Sequence, residues 1–539
     1  MTTDGSCSSG LHEAGALEHS GQLPDETVAH GRSNRTSQLP QTPLSAIRTG
    51  AVRYWLLAAT LFALMALHTQ NGRWTGDFWE HAAVVRELAT HPWAPRHPIL
   101  ESDAPHAFFS PYSLAVALIA RTLNLSPVTA LAVAGMVNLM AFLLVFPWFI
   151  RRLFGDVDHR ALAFYSLLLL LLLWGPGAWV WSGFMHVFGL GYVLPYPSMF
   201  AFVLTLATAA SLLAWTKDRR QRWLLIVFPS VILVLLTHPP TAVVMFVLSF
   251  WILLADAGWS LLRTVGVAGA AFLGILLVAQ LWPYYDLTTL LLRSGDFHSA
   301  NRELYRNILP RVAPALAGIP LIAWRLHRNP RDVLGLWFLS LAVLYLAGAL
   351  TGLFGFARML PMLMIILQLA IGWGLATAEK ALATFKPKQA LASRAAMGAL
   401  VLGILLFGVN PTTIDRLRNL ARRMAPAYRE YTFLSLTGQY EVVAADLVTS
   451  LRVSALGGKV VASLHPLAFI SDHQQRRELL GRFFATDTPD TERRAFLARY
   501  GADYILLDRS QQPSPLFETL SRLGEPIHDD GRFALLRTP

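Results

Sequence analysis

"YWLLAATLFALMALHTQNGRWTGDFWEH", residues 54–81, sets an apolar run against a dense cluster of titratable side chains. Residues 54–70 contain no Asp, Glu, Lys or Arg, and their length is that of a membrane-crossing helix. Asp77, Glu80 and His81 then crowd into the heptapeptide TGDFWEH. On a helix these three share one face, whereas Phe78, Val85 and Leu88 lie on another. The expected arrangement is a spanning helix followed by a helix resting on the membrane surface, its acidic stripe in water.

The rest of the chain repeats the first half of that pattern. Of 539 residues, 54% are hydrophobic and 15% charged, a departure from globular usage in the direction of membrane proteins. Apolar runs recur at about 54–70, 127–150, 161–178, 195–215, 222–237, 240–255, 264–283, 308–325, 333–350, 359–378 and 395–411. The alternation of barrel strands is absent, so the fold class is an α-helical polytopic membrane protein of about eleven transmembrane helices. Residues 108–124 are expected to lie at the interface as a further helix.

Charge supplies the orientation. The formal net charge is +11, but the basic residues punctuate apolar segments, which argues for topology signals and against nucleic acid. Arg48, Arg53 and the loops 151–160, 216–222, 325–331 and 379–394 fall on one side if the N-terminus is cytoplasmic. The expected layout has a disordered cytoplasmic tail over 1–47 and a transmembrane domain over 48–411. Within the latter, 71–126 is a first outer loop with interfacial helices. Residues 412–539 are expected to form a soluble extracytoplasmic α/β domain. Its elements are helices near 414–431, 472–484, 490–500 and 514–523 and strands at 459–464, 503–508 and 532–538. The single cysteine, Cys7, excludes an internal disulfide. The chain has no P-loop, zinc-protease motif, CxxC pair or nucleophile elbow.

Candidate chemistry therefore concentrates in the outer loops. Asp77, just past a span, is placed to be a general base with Glu80 and His81 as neighbours. The same position equally suits a carboxylate that only favours a helix N-terminus. His91, His97 and His106, with Glu101 and Asp103, leave a divalent cation open without fixing one. Arg358 stands at the mouth of an apolar helix, where a fork of donors suits a phosphate. Arg293, Arg302, Arg306 and Arg311 form a basic patch on the side where few are expected. His238, in "LLTHPPTAVV", either lines a cavity or caps a broken helix.

"GDFWEHAAVVRELATHP" (76–92), "SPYSLAVALIARTLNLSP" (110–127), the "RRLFG" turn (151–155), "YGADYILLDRS" (500–510) and the final "RFALLRTP" (532–539) together resemble the GT-C superfamily of integral membrane glycosyltransferases. That group includes the protein O-mannosyltransferases and the lipid A aminoarabinose transferases. The resemblance implies a sugar donor on a polyprenyl phosphate and a glycan, lipid or protein acceptor at the outer face of the cytoplasmic (inner) membrane. It puts Asp77 at the catalytic acidic position and the arginines on the departing phosphate. Many relatives carry an Asp-Glu pair where this chain has Asp77-Phe78, so Glu80 or His81 would supply the second acid. A flippase of lipid-linked sugars and a non-catalytic scaffold of the same shape are the alternatives.

Overall fold

The computed structural model describes residues 44–155, 158–292, 299–382, 384, 395–404, 427–512 and 514–539. Seven helices among them are long and apolar enough to cross a membrane. These are Gly50–Asn71, Pro127–Phe154, Pro197–Asp218, Pro239–Asp256, Leu261–Gln280, Val333–Thr351 and Phe354–Leu382. Each coincides with an expected span. The other four expected spans are shorter or interrupted. Residues 161–178 yield the helix His159–Leu172 before Gly175-Pro176-Gly177, and 222–237 fall within Gln221–Thr237. Residues 308–325 form two short helices, Ile308–Leu316 and Ile319–Arg328, with Pro314 inside the first and Pro320 opening the second. Proline lacks the donor that a continuous helix would need at these points. Of 395–411, Ala395–Ile404 is helical and the remainder lies outside the described residues.

The spanning helices differ in their surroundings. Pro197–Asp218 and Phe354–Leu382 are the centre of the bundle, 78% and 83% buried over their most apolar windows, against 11% for Leu261–Gln280 at its edge. Small residues explain how the central helix admits close neighbours. Ala201, Thr205, Thr208, Ala209, Ala210, Ser211 and Ala214 are all buried, and in lipid such residues allow the tight packing that apolarity alone cannot drive. Thr205 keeps its hydroxyl satisfied by donating to the Ala201 carbonyl.

Four elements near the start of the chain position the site: α1 (Leu44–Asn71), α2 (Phe78–Thr90), α3 (Pro111–Thr122) and α4 (Pro127–Phe154). Ser110 and Ser126 cap α3 and α4, each followed by proline in the first turn, a strong local start signal. Buried Asn138 of α4 donates to the Leu194 carbonyl at 2.9 Å and to Tyr112 of α3 at 3.2 Å. Tyr112 in turn donates to the Pro195 carbonyl at 2.8 Å. The helix expected over 108–124 is thus present as α3, tied into the bundle.

The C-terminal part carries a five-stranded mixed sheet in the order β2-β1-β3-β5-β4. Its strands are β1 (Val442–Ala445), β2 (Lys459–Val460), β3 (Ala502–Asp508), β4 (Glu525–Asp529) and β5 (Phe533–Arg537). β1 pairs in parallel with β2 and β3, and β5 runs antiparallel to β3 and β4. Alternation divides its faces. Val443, Ala445, Tyr504, Leu506, Phe533 and Leu535 pack on one side with Ile99 and Leu100 of the first loop. Val442, Ala444, Ile505, Leu507, Ala534 and Leu536 pack on the other with the helices His473–Phe483 and Asp490–Tyr500. The expected strand 459–464 shortens to β2, whereas β1 and β4 were not expected. The expected helix near 414–431 falls mostly outside the described residues; Ala427–Leu436 is 3-10 helix.

One expectation is overturned. α2 does not lie at a water surface. Phe78 through Val85, together with Glu87 and Leu88, are buried. α2 packs against α3 and α4 on one side and the helix Leu447–Leu456 on the other. Glu80, predicted to face water, is buried against the C-terminal part instead, whereas Asp77 stays half-exposed.

Candidate functional site

The site begins at Asp77, the N-cap residue of α2. Its side chain makes no capping hydrogen bond and is 43% exposed. The purely structural alternative for Asp77 therefore lacks its main contact. Three residues on, one turn around α2, Glu80 is 3% exposed. It accepts from the Ser463 hydroxyl at 3.0 Å and faces His465 Nδ1 at 2.9 Å. His465 Nδ1 also lies 3.4 Å from Asp77 Oδ1. Both C-terminal partners follow β2, on the segment Ser463-Leu464-His465-Pro466.

Electrostatics define the charge states here. Burial opposes a charged His465 ring, but the hydrogen bond and charge of Glu80, with the charge of Asp77, raise it to about 9. At neutral pH the imidazolium sits between two carboxylates. One ligand atom from each of Asp77, Glu80 and His465 lies within 4.8 Å of the others. Two oxygens and a nitrogen so placed fit a divalent cation such as zinc or manganese, provided His465 gives up its proton.

His81, expected beside the acids as a working group, is instead packed away. Its ring stacks on Phe108 at 4.6 Å and against Tyr196 at 5.2 Å. Burial lowers it to about 4, with the Asp77 charge opposing the shift. His97 and His106 hold the loop backbone through one ring nitrogen each. His97 Nδ1 accepts from the amides of Ile99 and Leu100, and His106 Nδ1 from Phe108. His91 hydrogen-bonds Tyr440 at 2.8 Å.

Arg358 lies in the 3-10 turn Phe354–Met359, at the mouth of the central helix. Its guanidinium stands 5.3 Å from the Trp181 ring centre. Arg302 lies over Phe354 of the same turn at 5.9 Å. Arg306 is exposed and pairs with Glu303 at 3.8 Å. His238 shares a 2.8 Å hydrogen bond with Thr241 at the opening of its helix. Arg293 lies outside the described residues.

Two contributions escaped the sequence reading. One is His465. The other is the clamp that brings it into place: Lys459 Nζ donates to Glu87 at 3.1 Å and to the His97 carbonyl at 2.7 Å, all buried. The Val460 amide donates to the Ile99 carbonyl at 2.8 Å, extending the sheet edge onto the first loop. A lone Lys opening a strand and a His-Pro just beyond it were the available signals.

No family model matches the chain, and no curated protein matches it. Solved structures do. The apo oligosaccharyltransferase of Archaeoglobus fulgidus aligns at TM-score 0.51 and 12% identity, covering 84% of this chain and 70% of that one. The same protein tethered to an acceptor peptide containing the NVT sequon aligns at 0.51 and 12%, covering 85% and 69%. The archaeal oligosaccharyltransferase AglB from Archaeoglobus fulgidus, with an inhibitory peptide and a dolichol-phosphate, aligns at 0.51 and 11%, covering 89% and 74%. The chain shares its fold with these solved oligosaccharyltransferases. At these identities the likeness concerns the fold, with both the membrane bundle and the C-terminal part included in its extent.

Proposed function

We propose that this protein is a membrane glycosyltransferase that moves a sugar from a polyprenyl-phosphate donor to an acceptor at the outer face of the cell membrane. The observation that carries the reading is the meeting of Asp77, Glu80 and His465 at one point. Sugar transfer from a lipid phosphate needs a base for the acceptor and a cation for the leaving group, roles we give to Asp77 and Arg358. The neighbours that share the fold add support, having been solved with a dolichol-phosphate and with an acceptor peptide.

In this mechanism Asp77 takes the proton of the acceptor as the acceptor atom attacks the anomeric carbon. The bond from that carbon to the phosphate oxygen breaks, and the lipid phosphate leaves with its electron pair. Arg358 neutralises the charge gathering on it. Glu80, buried and held by Ser463 and His465, fixes the local charge and keeps Asp77 from being the lone acid of the site. Asp77, Glu80 and His465 would hold a divalent cation, which when bound would polarise oxygen ligands.

The test is transfer by the purified protein in lipid nanodiscs, with a panel of polyprenyl-phosphate sugars. Transfer that vanishes in Asp77→Asn while the fold and donor binding persist supports the assignment. Transfer near the wild-type rate in Asp77→Asn would overturn it.

A further inference from the structure

At the end of the bundle away from Asp77, two arginines share one indole. Arg152, in the last turn of α4, holds its guanidinium 5.7 Å from the Trp223 ring centre, and Arg222 holds its own 4.8 Å from the same ring. Trp148, one turn before Arg152, lies 6.0 Å from Trp223. The carboxylate against this indole is engaged elsewhere. Asp218 accepts from Trp223 Nε1 at 2.9 Å and pairs with Arg220 at 4.0 Å. Neither Arg152 nor Arg222 lies within ion-pairing distance of an acid among the described residues. Arg152 Nε is buried there with no hydrogen-bond partner. Buried polar groups are nearly always paired. A guanidinium only donates, so the missing partner is an acceptor, and beside two cations it is an anionic one.

The surface leading to these arginines suits hydrocarbon. Val133, Val137, Met140 and Leu144 are exposed and recur every three or four residues, so they line one face of α4. The same spacing carries that face through Trp148 to Arg151 and Arg152. Its apolar part is about 16 Å long at the helical rise, roughly the depth of one leaflet's hydrocarbon. On the helix Leu224–Thr237, Leu225 and Phe228 are exposed and follow Arg222 at the same spacing. Both helices pack on Pro197–Asp218, so the two apolar stripes flank it and end at Trp223. Exposed apolar faces of spanning helices meet acyl chains, and cations at their ends meet headgroups.

We propose that Arg152 and Arg222, held by Trp223, form a site for one anionic phospholipid of the leaflet at this end. Its phosphodiester lies between the guanidinium groups and its chains lie along α4 and Leu224–Thr237. A phosphodiester offers acceptors in several directions, which suits forks arriving from two elements. Stacking on the indole pre-positions both forks, so less side-chain freedom is lost when the lipid binds. Arg219, Arg263 and Arg328 each stand on an indole of their own and bring one guanidinium where this site brings two. The site is remote from Asp77 and does not rest on the transferase reading.

The experiment measures lipid binding. The purified full chain in neutral detergent is titrated with palmitoyl-oleoyl phosphatidylglycerol and, separately, with phosphatidylcholine of the same chains, and native mass spectrometry counts the lipids bound. The wild type should hold one phosphatidylglycerol about fiftyfold more tightly than phosphatidylcholine. Arg152→Gln should cut that preference about tenfold, the loss typical of a charged hydrogen bond. Arg222→Gln, at an exposed position, should cut it about fivefold, and decides the matter if Arg152→Gln fails to fold. Arg263→Gln, at the same end, should leave it intact. Phosphatidylglycerol with six-carbon chains should bind more weakly, since less apolar surface is buried, and glycerol 3-phosphate should not displace the lipid. Equal affinity for the two lipids in the wild type, or an unaltered preference in both Arg152→Gln and Arg222→Gln, overturns the site. An equal loss in Arg263→Gln also overturns it, in favour of a diffuse basic surface. Displacement by glycerol 3-phosphate at the lipid's own concentration overturns the assignment to a lipid.

Discussion

Asp77 and His81 stand four residues apart in opposite surroundings. Asp77 is half-exposed with an uncapped carboxylate, so Asp77→Asn should fold normally. Transfer should drop on the order of 10² to 10⁴, the usual contribution of a positioned base; a purified transfer assay checks this. His81 lies between Phe108 and Tyr196, so His81→Ala should lower the melting temperature while changing transfer little. The histidines also set a pH window. His81 at about 4 and His106 at about 3 lie below the ordinary 6.5 because burial disfavours their charged forms. The unfolded chain then binds more protons as pH falls, so their stabilisation is whole above 6.5 and lost progressively towards 4 and below. His465, raised to about 9 by its carboxylates, has the opposite sign. Its contribution is whole below 6.5 and lost as pH rises through 9. Melting curves in chelator across pH 4 to 10 should show a maximum near 6.5 to 7, and His465→Gln should flatten the alkaline limb alone.

At the scale of elements, α2 shows what a linear reading can and cannot deliver. Asp77 and Glu80 were singled out because helical spacing puts them one turn apart. Their environment was misread because His465 lies 385 residues from Glu80 in the chain, and no local pattern announces such a partner. β1 was missed for a related reason. Its four residues are all buried, which removes the alternation that marks a half-exposed strand. The long spans were legible because uninterrupted apolar length is itself the signal. The 308–325 segment was not, since its prolines cut an apolar run into two helices. The clamp joining α2 to β2 yields a prediction at this scale. Glu87 and Lys459 are 1% and 2% exposed as side chains. Glu87→Gln leaves an ammonium buried without its counter-charge, a change that costs about 3–5 kcal/mol in comparable pairs. Replacing both, as Glu87→Met with Lys459→Met, should recover most of that loss, because the uncompensated charge is gone. Thermal melts of the single and double variants, with limited proteolysis between residues 427 and 465, measure it.

Across the whole molecule, the two ends of the bundle differ in chemistry. The site and the sheet occupy the end where α1 finishes. Arginine-tryptophan pairs occur near the site too, as Arg358 with Trp181, but at the opposite end they sit in the basic connections between helices: Arg219 with Trp215 at 4.7 Å, Arg263 with Trp259 at 4.3 Å and Arg328 with Trp324 at 4.6 Å. Arg53, Glu379 and Tyr165 interlock there as well. Tryptophan and basic side chains together favour the headgroup level, and basic loops favour the cytoplasmic side. On that rule the arginine-tryptophan end is expected in the cytoplasm and residues 427–539 outside. The sole cysteine, Cys7, makes this directly measurable. In a Cys7→Ser background, Arg494→Cys places one thiol on an exposed position of the helix Asp490–Tyr500. Gln221→Cys places one between the spanning segments at the arginine-tryptophan end. A membrane-impermeant maleimide added to intact cells should label the first and spare the second until the cells are opened. The reverse pattern would put Asp77 on the cytoplasmic face, where the acceptor and donor geometry proposed for it has no outer compartment to serve.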